Sequence, residues 1–158
     1  MKIELDRIDI ELIRLLRKHA RLSNKDLAEA VGVAPSTALE RVRRLRETGV
    51  IRGFHAEFDP QALGIDLQAM VAVRLARHSR EMVDAFHDHL LGLPEVLSFY
   101  HVAGADDFLV HVAVRDTHHL RGFLLAAFTQ REEVAHIETH LIFEHRRNPE
   151  TPVYVRPQ

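Results

Sequence analysis

The 158-residue chain contains no cysteine. That excludes a disulfide framework, a thiolate nucleophile and any Cys-based zinc site. No apolar run approaches the roughly 18–20 residues needed to span a bilayer. The opening MKIELDRIDIEL alternates charged and apolar residues, unlike a signal peptide. A cytoplasmic, soluble protein is expected. There is no Gly-x-Ser-x-Gly elbow and no phosphate-binding loop, and no spacing joins a serine to a histidine. Nothing therefore indicates an enzyme or a bound cofactor.

What is present is unevenly distributed. The net charge is −2, but residues 1–60 carry 12 Lys/Arg against 10 Asp/Glu, while residues 61–158 carry 9 against 13. Ten of the 12 histidines also lie in the second part. A mildly basic module joined to an acidic one is the pattern, with the basic module suited to a polyanion.

The basic module reads as three helices. Asp6 with Asp9 three residues on forms a weaker relative of the capping box, and Ile8, Leu12, Leu15 and Leu16 recur at helical spacing over about 7–18. Ser23 with Asp26 starts a second helix, which Gly32 ends. Pro35 suits the first turn of a third, and Leu39, Val42 and Leu45 form its expected inward stripe. Thr37, Arg41 and Arg44 fall roughly opposite, flanked by Ser36, Glu40 and Arg43. Four arginines within six residues, on the second helix of a tight helix pair, fit the major groove of double-stranded DNA. Ser36 and Thr37 can offer hydroxyls and free N–H groups to a phosphate or base edge. Arg41 is the candidate base reader, and Arg43 and Arg46 the candidate phosphate contacts. Ala34 at the N-cap lacks a capping side chain, a local loss of about 0.5–2 kcal/mol. After Gly49, Val50 and Ile51 are expected in a short wing strand with Arg52 exposed. Residues 54–60, FHAEFDP, alternate like a strand leaving the module. We set boundaries at 1–53 for a winged helix-turn-helix, 54–66 for a connecting strand and linker, 67–146 for the second module and 147–158 for a polar tail.

The second module reads β-α-β-β-α-β, with strands at 67–76, 95–103, 108–114 and 134–143 and helices at 80–91 and 118–128. This is the ferredoxin-like order, in which two helices cover one sheet face. The spacing puts Phe108, Val110, Val112 and Val114 on a single face. The apolar run Ala69–Val73 is expected on the uncovered face, where a second copy in a two-fold dimer would bury it.

Three stretches carry a family resemblance: LDRIDIELIRLL, RLSNKDLAEAVGVAPSTALERVRRLRETGVIRG and VAGADDFLVHVAV. Together they make the chain, from about residue 4 to 146, resemble the Lrp/AsnC (feast/famine) transcriptional regulators. The resemblance implies an α+β protein: an N-terminal winged helix-turn-helix followed by a ferredoxin-like RAM domain that dimerises and binds small effectors, usually amino acids. It also implies higher assemblies, such as a tetramer of dimers. The turn that usually reads Gly-Asp-x-Asp-aromatic is matched by Gly104, Asp107 and Phe108, with Ala105 and Asp106 departing from it. The resemblance implies that the N–H groups of 103–106 (Ala103, Gly104, Ala105, Asp106), next to Val102, hold an effector carboxylate and that Asp107 meets its amino group. Thr117 and the stretch His140, Leu141 and Ile142 match its other effector-responsive positions. His101 and His140 bring imidazoles near that pocket.

No metal site is expected. His87 and His89 diverge on a helix, as do His118 and His119, and only His136 and His140 share a strand face with Glu138. Two alternatives remain open: a low-specificity architectural DNA-binding protein, and an effector-binding protein with little DNA role.

Overall fold

The computed structural model describes residues 4–77, 79–148 and 152–155. The chain divides into two compact units, residues 1–57 with 146–158, and residues 58–145.

The first unit is built of α1 (Arg7–Lys18), α2 (Asn24–Val31) and α3 (Pro35–Glu47). Both expected capping boxes form. The Asp9 N–H donates to Asp6 at 2.8 Å and the Asp6 N–H donates back to Asp9 at 3.2 Å, so the shorter side chain does reach. At α2 the Asp26 N–H donates to the Ser23 hydroxyl, and the Ser23 N–H to Asp26, both at 3.2 Å. Gly32 closes α2 at φ 72°, a left-handed conformation that a Cβ would strain. The turn that follows aims α3 away from α2. No side chain caps α3, whose N-cap is Ala34.

Leu12, Leu16, Leu27, Ala28 and Ala38 are buried together, with Val33, Val42 and Ile51 packed against them. Burying each leucine contributes about 1.5–3 kcal/mol. The stripe of α3 is rotated from expectation: Ala38 is buried and Leu39 is 52% exposed. A methyl at 38 lets α2 and α3 approach closely, which the larger leucine would prevent. The expected wing strand at Val50 and Ile51 and the strand at 54–60 are not formed; residues 52–59 carry no regular structure. A strand exists only with a hydrogen-bonding neighbour. The alternating Phe54 and Phe58 stay exposed instead.

The second unit holds β1 (Leu67–Leu75), α4 (Arg80–Leu91), β2 (Val96–His101), β3 (Phe108–Val114), α5 (Thr117–Leu124), a π turn at Leu125–Thr129 and β4 (Val134–Ile142). The sheet order is β2-β3-β1-β4 and every pairing is antiparallel. This is the ferredoxin-like arrangement. Phe108, Val110, Val112 and Val114 are all buried on one face as expected. They meet Phe86 and Leu90 of α4, and Leu120 and Phe123 of α5, in one apolar core.

Val71 corrects the expectation for β1. It is fully buried in this core with Ala69 and Val73, under the helices. The uncovered face of β1 carries Gln68, Met70, Ala72 and Arg74 by strand alternation. His111 and His140 flank Met70 from either side in one row. This face is therefore mixed rather than continuously apolar.

Candidate DNA interface and effector site

The exposed surface of α3 is the candidate DNA interface. Its buried side is defined by Ala38 and Leu45, with Val42 half-buried. At 100° per residue, Ser36, Glu40, Arg43 and Glu47 point most directly outward, and Thr37 and Arg44 lie to one side of them. All six are exposed. Arg43 binds Glu40 at 2.8 Å, with Glu47 at 3.8 Å. All three side chains are more than 60% exposed, so water screens these bonds and a phosphate can displace them at little cost. Arg46 and Arg52 are exposed as well.

Arg41 differs. It lies on the flank of α3 that faces α1, and its side chain is only 25% exposed. Its Nη1 donates to Asp6 at 2.5 Å and to Asp9 at 3.0 Å. Arg44 donates to the other oxygen of Asp9, also at 2.5 Å. Asp9 is the buried charged residue of the described chain, its side chain 1% exposed. A lone buried carboxylate would be strongly unfavourable, and two guanidiniums make its burial tolerable. The Asp6 carboxyl is desolvated, which works against ionisation. The Asp9 N–H and the Arg41 guanidinium outweigh that and hold its pKa below the ordinary 3.8. Asp6 in turn raises the pKa of Arg41.

The sequence analysis missed Asp6 and Asp9 as members of this surface. One signal was there: on the helical wheel Asp9 falls within the stripe of Leu12 and Leu16, and an acid in a buried stripe implies a buried cation. Beside the network, Ser36, Thr37, Glu40, Arg41 and Arg44 line a concavity of about 430 Å³.

The residues expected at the effector site are spread through the second unit. Gly104 sits at φ 144°, a backbone conformation only glycine adopts easily. Ala103, Gly104 and Ala105 are exposed at the tip of the β2–β3 turn. The turn is closed by a hydrogen bond from the Val102 N–H to the Asp107 carbonyl at 2.9 Å. Asp107 is engaged structurally: its carboxylate accepts the Leu75 N–H at 2.8 Å, and its own N–H donates to the Val73 carbonyl. The register shift between Arg74 and Leu75 accompanies this bond. Arg74 braces the turn, its Nε donating to the Ala105 carbonyl at 2.7 Å, with Asp106 at 3.8 Å from its Nη2.

His101 stacks on Phe108 with ring centroids 4.8 Å apart and meets His87 edge-on. His140 lies on the uncovered face opposite Met70. Leu141 pairs with Ala69 on the helix side, and Ile142 pairs with Gln68 near the far end of β1. Thr117 begins α5 just past Val114, and the whole of β3, about 20 Å, separates it from the turn. Within one chain, then, residues 102–107 form one group, and Thr117 and Ile142 lie at the other end of the sheet. A separate cleft of about 500 Å³ opens between α4 and α5, where His119 binds Glu95 at 3.2 Å beside Arg115 and His118. Nothing in the spacing of these residues signals it, because only the packing of the two helices brings them together.

Comparison with known proteins matches both units. Residues 5–52 match the winged helix-turn-helix DNA-binding family and residues 68–150 the Lrp/AsnC ligand binding domain. The HTH-type transcriptional regulator AldR of Mycolicibacterium smegmatis is 47% identical over 91% of this chain and 84% of its own length. The leucine-responsive regulatory protein of Rhizobium meliloti is 36% identical over 89% and 90%. Among solved structures, that of MtbAldR superposes with a TM-score of 0.75 at 41% identity, covering 94% of this chain and all of that one. A Neisseria meningitidis transcriptional regulator solved with L-Met gives 0.84 at 26% identity, covering 91% and 93%. A helix-turn-helix with an exposed, arginine-rich second helix and a βαββαβ module on the same chain thus have their counterparts in the same proteins. The chain belongs to the Lrp/AsnC family of transcriptional regulators.

Proposed function

We propose that this regulator recognises particular double-stranded DNA sequences through α3, as a homodimer or a larger assembly of dimers, and that an amino acid or related small metabolite alters its assembly or its DNA affinity. The observation that carries the DNA reading is the surface of α3. Ser36, Thr37, Glu40, Arg43 and Arg44 are exposed together while Ala38 and Leu45 anchor the opposite side. Ser36 and Thr37 offer hydroxyls at the helix N-terminus, Arg43 and Arg46 neutralise phosphates, and Arg52 reaches the backbone beyond the helix. Two copies double these contacts on a site of two-fold symmetry.

The effector reading is supported by the ligand-binding family of residues 68–150 and by the L-Met complex of the Neisseria regulator. We assign the effector carboxylate to the N–H groups of residues 103–106. Asp107, engaged by the Leu75 N–H, keeps the turn in shape, so we assign the effector ammonium to Asp106, whose carboxylate lies 3.8 Å from Arg74. Thr117 and the His140–Ile142 strand join such a site from a neighbouring copy.

Calorimetry with the twenty amino acids tests the effector reading, with each also added to a mobility shift on the protein's own promoter fragment. One or a few amino acids should bind and change the DNA affinity or the assembly size. Asp106→Asn should weaken that binding about tenfold without changing the fold. Binding of none of the twenty removes amino acids as the effector class. Equal affinity for promoter and random DNA favours the architectural reading.

A further inference from the structure

Two carboxylates in a DNA-binding surface ought to repel phosphates. Asp6 and Asp9 sit where they do the opposite. Arg44 is held at one end by Asp9, yet half of its side chain remains exposed beside Thr37. A guanidinium has five N–H donors in a fixed plane, and a carboxylate engages only part of that fork. The remainder faces the concavity along α3. Behind it, Arg41 ties Asp9 and Asp6 together and is itself largely covered.

We propose that Asp6 and Asp9 are positioning residues for DNA recognition: through the ion pairs they hold Arg44, with Arg41 as their brace, in the conformation that meets DNA. The inference rests on the reading that α3 contacts DNA. The physical reason is entropic. A free arginine side chain loses about 2 kcal/mol of rotamer freedom when it is fixed, and a held one has lost it on folding, before DNA arrives. The two acids and two arginines also sum to zero charge, so the carboxylates present little net field to the phosphates. Arg43 is the contrast. Its partners Glu40 and Glu47 are exposed, so water screens those pairs, and it serves as a point of positive charge rather than an aimed fork.

Charge counting and positioning predict opposite signs, and that makes the test sharp. Asp6→Asn keeps an equally good helix N-cap and removes one negative charge. Counting charges, DNA binding tightens. By positioning, the variant binds the promoter duplex three- to tenfold more weakly, random duplex stays unchanged or tightens, and the salt slope is kept. Asp9→Asn should lose about tenfold on the promoter duplex. In an Arg44→Ala background that loss should disappear. Fluorescence anisotropy across salt concentrations gives each value, with melting temperatures recorded for every variant. If Asp9→Asn fails to fold, Asp6→Asn and Arg41→Lys carry the test. Arg41→Lys keeps the charge without the fork and should also lose promoter discrimination. Promoter affinity in Asp6→Asn equal to or above wild type overturns the proposal. If Arg44→Ala binds both duplexes as wild type does, α3 itself is not the reading surface and both ideas fall. If Arg44→Ala weakens binding while Asp6→Asn does not, the positioning role alone is lost.

Discussion

The two units bury charge and apolar surface by opposite rules. The first has a small core of leucines and alanines and admits a buried carboxylate, Asp9, at its edge. The second builds its core from apolar side chains, four phenylalanines and a set of valines, leucines and alanines clasped between sheet and helices, with no carboxylate among them. The difference follows from what each surface must do. On the DNA reading proposed above, arginines presented to a polyanion gain from being held, and an acid on the neighbouring helix holds two of them. A sheet that must bury one whole face against two helices gains from apolar area alone. The lesson is that a buried charge in a binding unit points toward function, whereas an apolar strand run points toward packing.

Val71→Asp should have the largest effect. It places a carboxylate in the apolar core that contains Val73, Phe86 and Phe108, at more than about 3 kcal/mol. The second unit should unfold, rather than a folded dimer merely dissociate, while the helical signal of α1 to α3 survives. Circular dichroism melting with sedimentation checks this, and an intact sheet in the variant breaks the comparison. Leu12→Ala, fully buried in the first unit, should destabilise by about 2–5 kcal/mol. Here DNA binding should fall while the melting of the sheet is unchanged. Parallel loss of both signals would mean the units do not fold independently.

The smallest expected effect is in pH. His111 is half-buried, hydrogen-bonded to Gln68 at 2.8 Å and beside His145. Burial first, then the His145 charge, holds its pKa below 6.5. A depressed value means the folded unit favours neutral imidazole. That stabilisation is present above the unfolded value of 6.5 and is lost as pH falls through the folded one. Asp6 is depressed from 3.8, so its contribution is present above that value and is lost only as pH falls through its lower folded value. The second unit should therefore weaken in mildly acidic buffer while the first holds until strong acid. Melts of wild type and His111→Gln between pH 7.5 and 5.5 check it, and an equal pH dependence in the two removes His111 as the cause.

The helices were legible because their signals are local. Asp6, Ser23 and Gly32 mark ends within a few residues of the helices they bound, and apolar spacing marks their buried sides. The strand order was legible because alternating segments in a βαββαβ sequence admit few topologies. The same local logic misled at 54–60, where alternation was present and a pairing partner was not. It placed Val71 on the wrong face, because a run apolar at every position carries no phase to say which side the helices cover. For the effector turn, Gly104 and Asp107 were visible as a motif, but the bond from the Leu75 N–H to Asp107 joins residues 32 positions apart.

What the sequence determined by itself is thus the helices with their ends and the charge carried by α3, since each depends on neighbours within a turn or two, together with the four strands of the second unit. What the tertiary structure decided is how those groups are used. Arg41 is drawn inward, Arg44 is held half-exposed and Asp9 is buried, because α1 crosses α3 more than 30 residues away along the chain. Thr117 and the 102–107 turn are kept apart because β3 lies extended between them, and an extended strand separates its ends by its full length.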